Sequence, residues 1–103
     1  MNILYIDTRD NKKNSVKLVT SHGEFLETTD VQARAEGILM LIQKVMGKAG
    51  ISLSEFTKIY CEKGPGSYTG LRVGFAIANS LSLALLIPLN DNELGFIDTP
   101  VYE

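Results

Sequence analysis

Apolar and polar positions alternate in pairs near the N-terminus and recur with a helical rhythm of about 3.6 residues further on. Residues 3–6 are apolar and stop at Asp7, the pattern of a central strand. Asp7-Thr8-Arg9-Asp10-Asn11 reads as a turn. From Asn14 to Thr20, Val16 and Leu18 alternate with Ser15 and Lys17, which predicts a half-buried strand. After a turn at Ser21-His22-Gly23-Glu24, Phe25 to Thr29 predicts a third. Short connections make the three an antiparallel meander. A helix is predicted from Val31 to Lys48, with Asp30 placed to accept the free N–H groups of its first turn. Its apolar stripe is Ala35, Ile38, Leu39, Ile42, Val45, Met46 and Ala49; Met40 and Leu41 fall off that stripe and widen the apolar surface. Gly47 and Gly50 bracket its end, and Ser52 to Phe56 lead into a strand at 58–61. A second helix begins near Thr69 or Gly70 and ends before Pro88. Gly70, Gly74 and Ala78 form a small-residue ridge on it, and Leu71, Val73, Phe75, Ile77, Leu81 and Leu85 cover most of the rest. Pro88-Leu89-Asn90 predicts a last short strand, and 91–103 an acidic, loose tail.

The order β-β-β-α-β-α-β predicts an α/β fold, a mixed sheet with two long helices against it, over residues 1–90. This is the layout of one lobe of an actin-like ATPase, the ribonuclease-H-like fold. Composition narrows the function. The chain has 103 residues, 45% apolar and 21% charged, enough for one modest core. A net charge of −2 offers no basic excess for nucleic acid, so any RNA contact is local or made through a partner. The single cysteine, Cys61, excludes an internal disulfide and reads as a buried thiol within the fourth strand. No leader peptide is expected at the N-terminus, and the apolar run from Phe75 to Leu89 is too short to cross a bilayer.

Candidate chemistry centres on Gly64-Pro65-Gly66-Ser67-Tyr68-Thr69-Gly70, between the fourth strand and the second helix. Glycines that permit positive φ and hydroxyls beside a helix N-terminus can cradle a phosphate. The same residues can equally make a rigid corner in which Ser67 or Thr69 caps the helix. A Walker loop is excluded, because no lysine precedes a Ser or Thr here. Asp7, at the end of the first strand, could hold a magnesium-bound phosphate or simply cap its turn. With Thr8, Ser67 and Thr69 it forms the weak candidate nucleotide set. His22 reads as a solvated turn residue, and Arg72 as an anion grip or a surface salt bridge. The four tyrosines are scattered and predict no stacking platform; Tyr68 is expected to pin the turn by packing. The apolar surface of both helices exceeds what one small sheet hides, which points to an interface.

Gly64 to Gly74, continued by Phe75-Ala76-Ile77-Ala78-Asn79-Ser80, resembles the signature of the TsaB (YeaZ) family. The opening Ile3-Leu4-Tyr5-Ile6-Asp7-Thr8 and the helix segment Ile38-Leu39-Met40-Leu41-Ile42 also fall where that family has equivalents. The resemblance implies an actin-like fold in two lobes and a part in the bacterial machinery that makes threonylcarbamoyladenosine beside the tRNA anticodon. It implies an accessory protein rather than the transferase, pairing through N-terminal-lobe helices with the catalytic paralogue TsaD, in a complex that TsaE joins with ATP. It also implies a homodimer through the same helices in isolation. Members commonly carry a histidine just before the first helix's apolar stripe and a small residue after Asp7-Thr8. This chain has Gln32-Ala33-Arg34-Ala35 and Arg9 instead, which weighs against a working metal or nucleotide site. Members also continue into a second lobe, which is not expected here.

The resulting expectation is a cytoplasmic, non-catalytic partner subunit with no metal, no cofactor and tRNA contact only through the complex. Its interface anchors would be Leu39, Ile42, Met46, Gly70, Val73, Gly74 and Ile77. The alternative is a nucleotide-binding actin-like ATPase fragment that uses Asp7, Thr8, Ser67 and Thr69.

Overall fold

A computed structural model describes residues 1–91 apart from 11, 31 and 33; the predicted tail therefore lies, beyond Asp91, outside the described residues. The chain runs β1 (Ile3–Asp10), β2 (Lys13–Thr20), β3 (Gly23–Thr29), α1 (Ala35–Ala49), a 3₁₀ turn at Leu53–Glu55, β4 (Lys58–Cys61) and α2 (Tyr68–Leu85). The sheet order is β3-β2-β1-β4, antiparallel within the meander and parallel between β1 and β4. Leu4 sits opposite Leu18 on one side and Ile59 on the other, and Leu18 sits opposite Phe25.

The alternation in the sequence becomes two sheet faces. Leu4, Ile6, Val16, Leu18, Ile59 and Cys61 are buried in one core with the helices. There α1 lies over β2 and β3, and α2 over β1 and β4. The other face carries Tyr5, Asp7, Ser15, Lys17, Leu26 and Tyr60. Tyr5 and Tyr60 stack there with ring centroids 5.2 Å apart, so these two tyrosines are paired rather than scattered. They were far apart in sequence; the parallel β1–β4 register sets them side by side.

Several element ends differ from the pattern. β1 continues past Asp7 to Asp10, with a register irregularity between the two, where a turn was expected. α1 starts at Ala35 with an extended Arg34 as its cap residue and no side-chain cap, so Asp30 does not cap it. β3 stays paired up to Thr29 at the sheet edge, and α1 begins in the helix layer at Ala35. On α1 the buried residues are Ile38, Leu41, Ile42 and Val45: Leu41 faces the core, and Leu39, predicted to do so, is exposed. Gly50, at φ 71°, closes the helix by donating its N–H to the Met46 carbonyl. The last predicted strand is reduced, among the described residues, to a parallel bridge between Leu89 and Ile59. Leu89 is buried, which ties the exit from α2 to the sheet. No helix among the described residues is long and apolar enough to cross a membrane.

Candidate functional site

β1 and β4 are parallel, and the chain chemistry gathers outside their carboxyl ends, where open α/β sheets usually bind ligands. A polar groove of about 380 Å³ opens there, lined by Asp7, Arg9, Asp10, Lys13, Ser15, Thr28 and Pro65. Asp7 is not free within it. Its Oδ1 accepts the Arg9 backbone N–H and the Arg9 Nε–H, both at 3.1 Å, and its Oδ2 accepts from Arg9 Nη2 at 2.9 Å. Arg9 also reaches Glu62 at 3.4 Å. Partial burial pushes the Asp7 carboxyl up, but the Arg9 hydrogen bonds and charge outweigh it and hold the group below its usual value. Hydrogen bonding to Asp7, then the charges of Asp7 and Glu62, raise Arg9 in turn.

The glycine loop is equally occupied. The Gly64–Pro65 peptide bond is cis, and Gly64 takes φ 100°. The Ser67 N–H donates to the Arg9 carbonyl at 2.7 Å, and Ser67 Oγ accepts the Gly70 N–H at 3.2 Å as the cap of α2. Gly66 lies so close to β1 that a Cβ there would stand 2.7 Å from the Arg9 carbonyl oxygen. Thr8, fully buried, points into the helix layer instead. Its Oγ1 has no hydrogen-bond partner among the described residues, and a Cβ on Gly74 would stand 2.1 Å from it. Thr69 is exposed. The four weak nucleotide candidates therefore do not converge: Asp7 is spent on Arg9, Ser67 on the cap, Thr8 on the core, and Thr69 faces outward. These residues do not fit a magnesium-bound nucleotide, and the rigid-corner reading of the loop describes the geometry. The signal in the sequence was Arg9 itself, a cation two residues from the carboxylate it neutralises.

The anchors proposed from the sequence divide by burial. Ile42, Gly70, Gly74 and Ile77 are buried within the chain. Gly74 of the predicted ridge meets Thr8 of β1, and Gly70 and Ala78 are buried beside it within the chain. Leu39 is 45% exposed, and Val73 and Met46 are half-buried. Beside them stand residues the sequence did not single out as anchors. Met40 is 56% exposed. An apolar groove of about 340 Å³ runs between Ala35 and the outer side of α2, past Val73 and Ala76. Tyr68, expected to pin the turn, is mostly exposed at the groove lip; Arg72 stacks over its ring at 5.2 Å and donates to its hydroxyl at 3.3 Å. His22 is exposed in the β2–β3 turn, as its position predicts, and Cys61 is buried.

A meander, two helices on one face and a glycine corner at the parallel strand ends define an actin-like α/β lobe. A family model described as TsaD: tRNA N6-adenosine threonylcarbamoyltransferase matches residues 12–91. The tRNA threonylcarbamoyladenosine biosynthesis protein TsaB of Escherichia coli strain K12 is 34% identical over 94 residues, covering 86% of this chain and 38% of that protein. TsaB of Buchnera aphidicola subsp. Schizaphis graminum is 46% identical over 52 residues, 50% of this chain and 25% of that one. Among solved structures, YeaZ from Pseudomonas aeruginosa superposes with a TM-score of 0.81 at 26% identity, covering 86% of this chain and 43% of that one. The chain belongs to this TsaD-type family and, within it, to the TsaB (YeaZ) group. It spans less than half the length of the relatives just described.

Proposed function

We propose that the chain is a non-catalytic partner subunit in the biosynthesis of threonylcarbamoyladenosine on tRNA. In this reading residues 1–90 are an N-terminal lobe that docks on a TsaD-like catalytic subunit, or on a second copy of itself, through the outer faces of α1 and α2. TsaE would join through that complex, tRNA would be met only there, and the work would be cytoplasmic. The observation that carries the reading is exposed apolar surface on both helices, Leu39 and Met40 on α1 and the groove past Val73 and Ala76 on α2, on a lobe whose Asp7 and Ser67 are engaged by its own groups. Fully burying a Leu or Met side chain is worth roughly 1.5–3 kcal/mol, so two or three such residues at the centre of a helix-to-helix contact suffice as hot spots. Arg72, held over Tyr68 at the groove lip, offers a cation to a partner carboxylate. The nucleotide-binding alternative has no observation in its favour, since its four residues do not meet.

The test is association of the intact chain, alone by sedimentation velocity and with the TsaD-like protein of the same cell by co-purification. Leu39→Asp and Met40→Asp place a charge on exposed apolar positions of α1. Each is expected to weaken association by at least about tenfold, near 1.4 kcal/mol, while circular dichroism stays native. Variants that associate as the wild type does, with both partners, would refute the docking face.

A further inference from the structure

The loop between β4 and α2 has the build of an anion cradle, and the structure places a guest in it: the main-chain carbonyl of Arg9. The Ser67 N–H, which a phosphate oxygen would use, donates to that carbonyl at 2.7 Å. Gly66 lacks a Cβ where the same oxygen makes its approach; a Cβ would stand 2.7 Å from it and 2.9 Å from the Arg9 Cβ. What aims the carbonyl is the irregularity in β1. Between Asp7 and Asp10 the ladder with β2 shifts register. There the Arg9 N–H, free of the ladder, is taken by Asp7 Oδ1 at 3.1 Å. The Asp7 carboxylate then holds the Arg9 guanidinium through Nε and Nη2, and Glu62, just past β4, takes Nη1 at 3.4 Å. One side chain thus fastens the bulge to itself and to the start of the loop.

We propose that Asp7 and Arg9 form an internal clamp that presents the Arg9 carbonyl to the glycine loop, so that the loop and the first turn of α2 are ordered without any nucleotide or phosphate. The clamp is distinct from the docking face and does not depend on it. Asp7 is the positioning residue, acting through the Arg9 main chain, and the guest is an uncharged oxygen supplied by the protein. Related lobes with a small residue at this position would lack the guanidinium that completes the clamp.

Amide hydrogen exchange and nitrogen–proton NMR on the intact chain test this. In the wild type the Ser67 and Gly70 amides are expected to be protected in the free protein and to stay unmoved as MgATP or inorganic phosphate is raised to millimolar levels. Asp7→Ala removes the acceptor for the Arg9 N–H. It should cost Ser67 about tenfold or more in protection while Ile59, in the sheet, keeps its own, the mark of a local opening. Asp7→Asn keeps an oxygen at that place and should retain most of the protection. Saturable movement of the Ser67 amide by MgATP or phosphate in the wild type would overturn the proposal, and so would unchanged Ser67 protection in Asp7→Ala. If Asp7→Ala fails to fold, the wild-type titration and Asp7→Asn still decide, since loss of protection in Asp7→Asn equal to that of a global opening would also count against it.

Discussion

Thr8 and Gly74 show how closely α2 rides on β1. The helix sits where a single added methyl group would meet the Thr8 hydroxyl at 2.1 Å, and both residues are buried. Gly74→Ala is therefore expected to destabilise the fold by about 1–3 kcal/mol through overpacking, measured by urea unfolding. A bulky residue at the same place would remove the folded monomer along with any pairing. Thr8 carries the opposite lesson. Its buried hydroxyl has no partner among the described residues, so Thr8→Val, which keeps the shape and drops the desolvated oxygen, is expected to be neutral or to raise the urea midpoint. At Arg9 the expectation is tied to pH. Asp7 titrates lower folded than unfolded, so the pair's contribution is fully present above the ordinary aspartate value of about 3.9 and fades as pH falls through the lower folded one. Because both side chains are partly solvated, Arg9→Ala should cost only about 0.2–1 kcal/mol at neutral pH. The gap to wild type should close in thermal melts taken below pH 4, by the same reference value of about 3.9.

At the scale of elements, what was legible in the sequence depended on whether a segment had one apolar face or two. β4 is bounded where the apolar run places it, at Lys58–Cys61, and the β2 alternation fixes which residues enter the core, Val16 and Leu18. α1 has a single stripe, and the rhythm placed Ile38, Ile42 and Val45 on it, while Leu41 takes the place of Leu39 and Ala35 is exposed. Its start was not legible, since Arg34, which precedes it, offers no side-chain cap and leaves no residue-type signal. α2 is apolar on most of its circumference, so periodicity could not tell the side that meets β1 from the side that faces out. That ambiguity made Gly70 and Gly74 read as anchors, whereas both are buried within the chain. The site suffered similarly: Asp7 and Ser67 were found, but the Arg9 carbonyl between them is main chain and leaves no residue-type signature. The end of α2 offers a direct check. Leu86 closes the helix in the left-handed region at φ 57° with its side chain 69% exposed. Leu86→Gly should relieve that strain with little lost burial and stabilise the protein by up to about 1 kcal/mol in urea unfolding.

For the molecule as a whole, two surfaces remain outside the core: the outer side of the helices and the sheet face bearing the Tyr5–Tyr60 stack. Lys17 and Lys58 lie over the two rings, Lys17 pairs with Glu24, and Lys58 pairs with Asp91, which also accepts from the Tyr60 hydroxyl at 2.7 Å. The rings and cations of that face are thus spent on one another, while Leu39 and Met40 on α1 and the groove past Val73 and Ala76 on α2 have no such cover among the described residues. That contrast is why docking is assigned to the helices.

The parallel pairing of Ile3–Ile6 with Lys58–Cys61 also sets an order of events at the ribosome. The meander can close as soon as it emerges, but β1 then waits, with one row of amides and carbonyls bare, until about thirty further residues have been made. During that interval the nascent chain is a hairpin sheet with a sticky rim, open to invasion by any extended strand nearby. A rim that stays unpaired until β4 arrives is thus written into the position of β1 in the middle of its sheet.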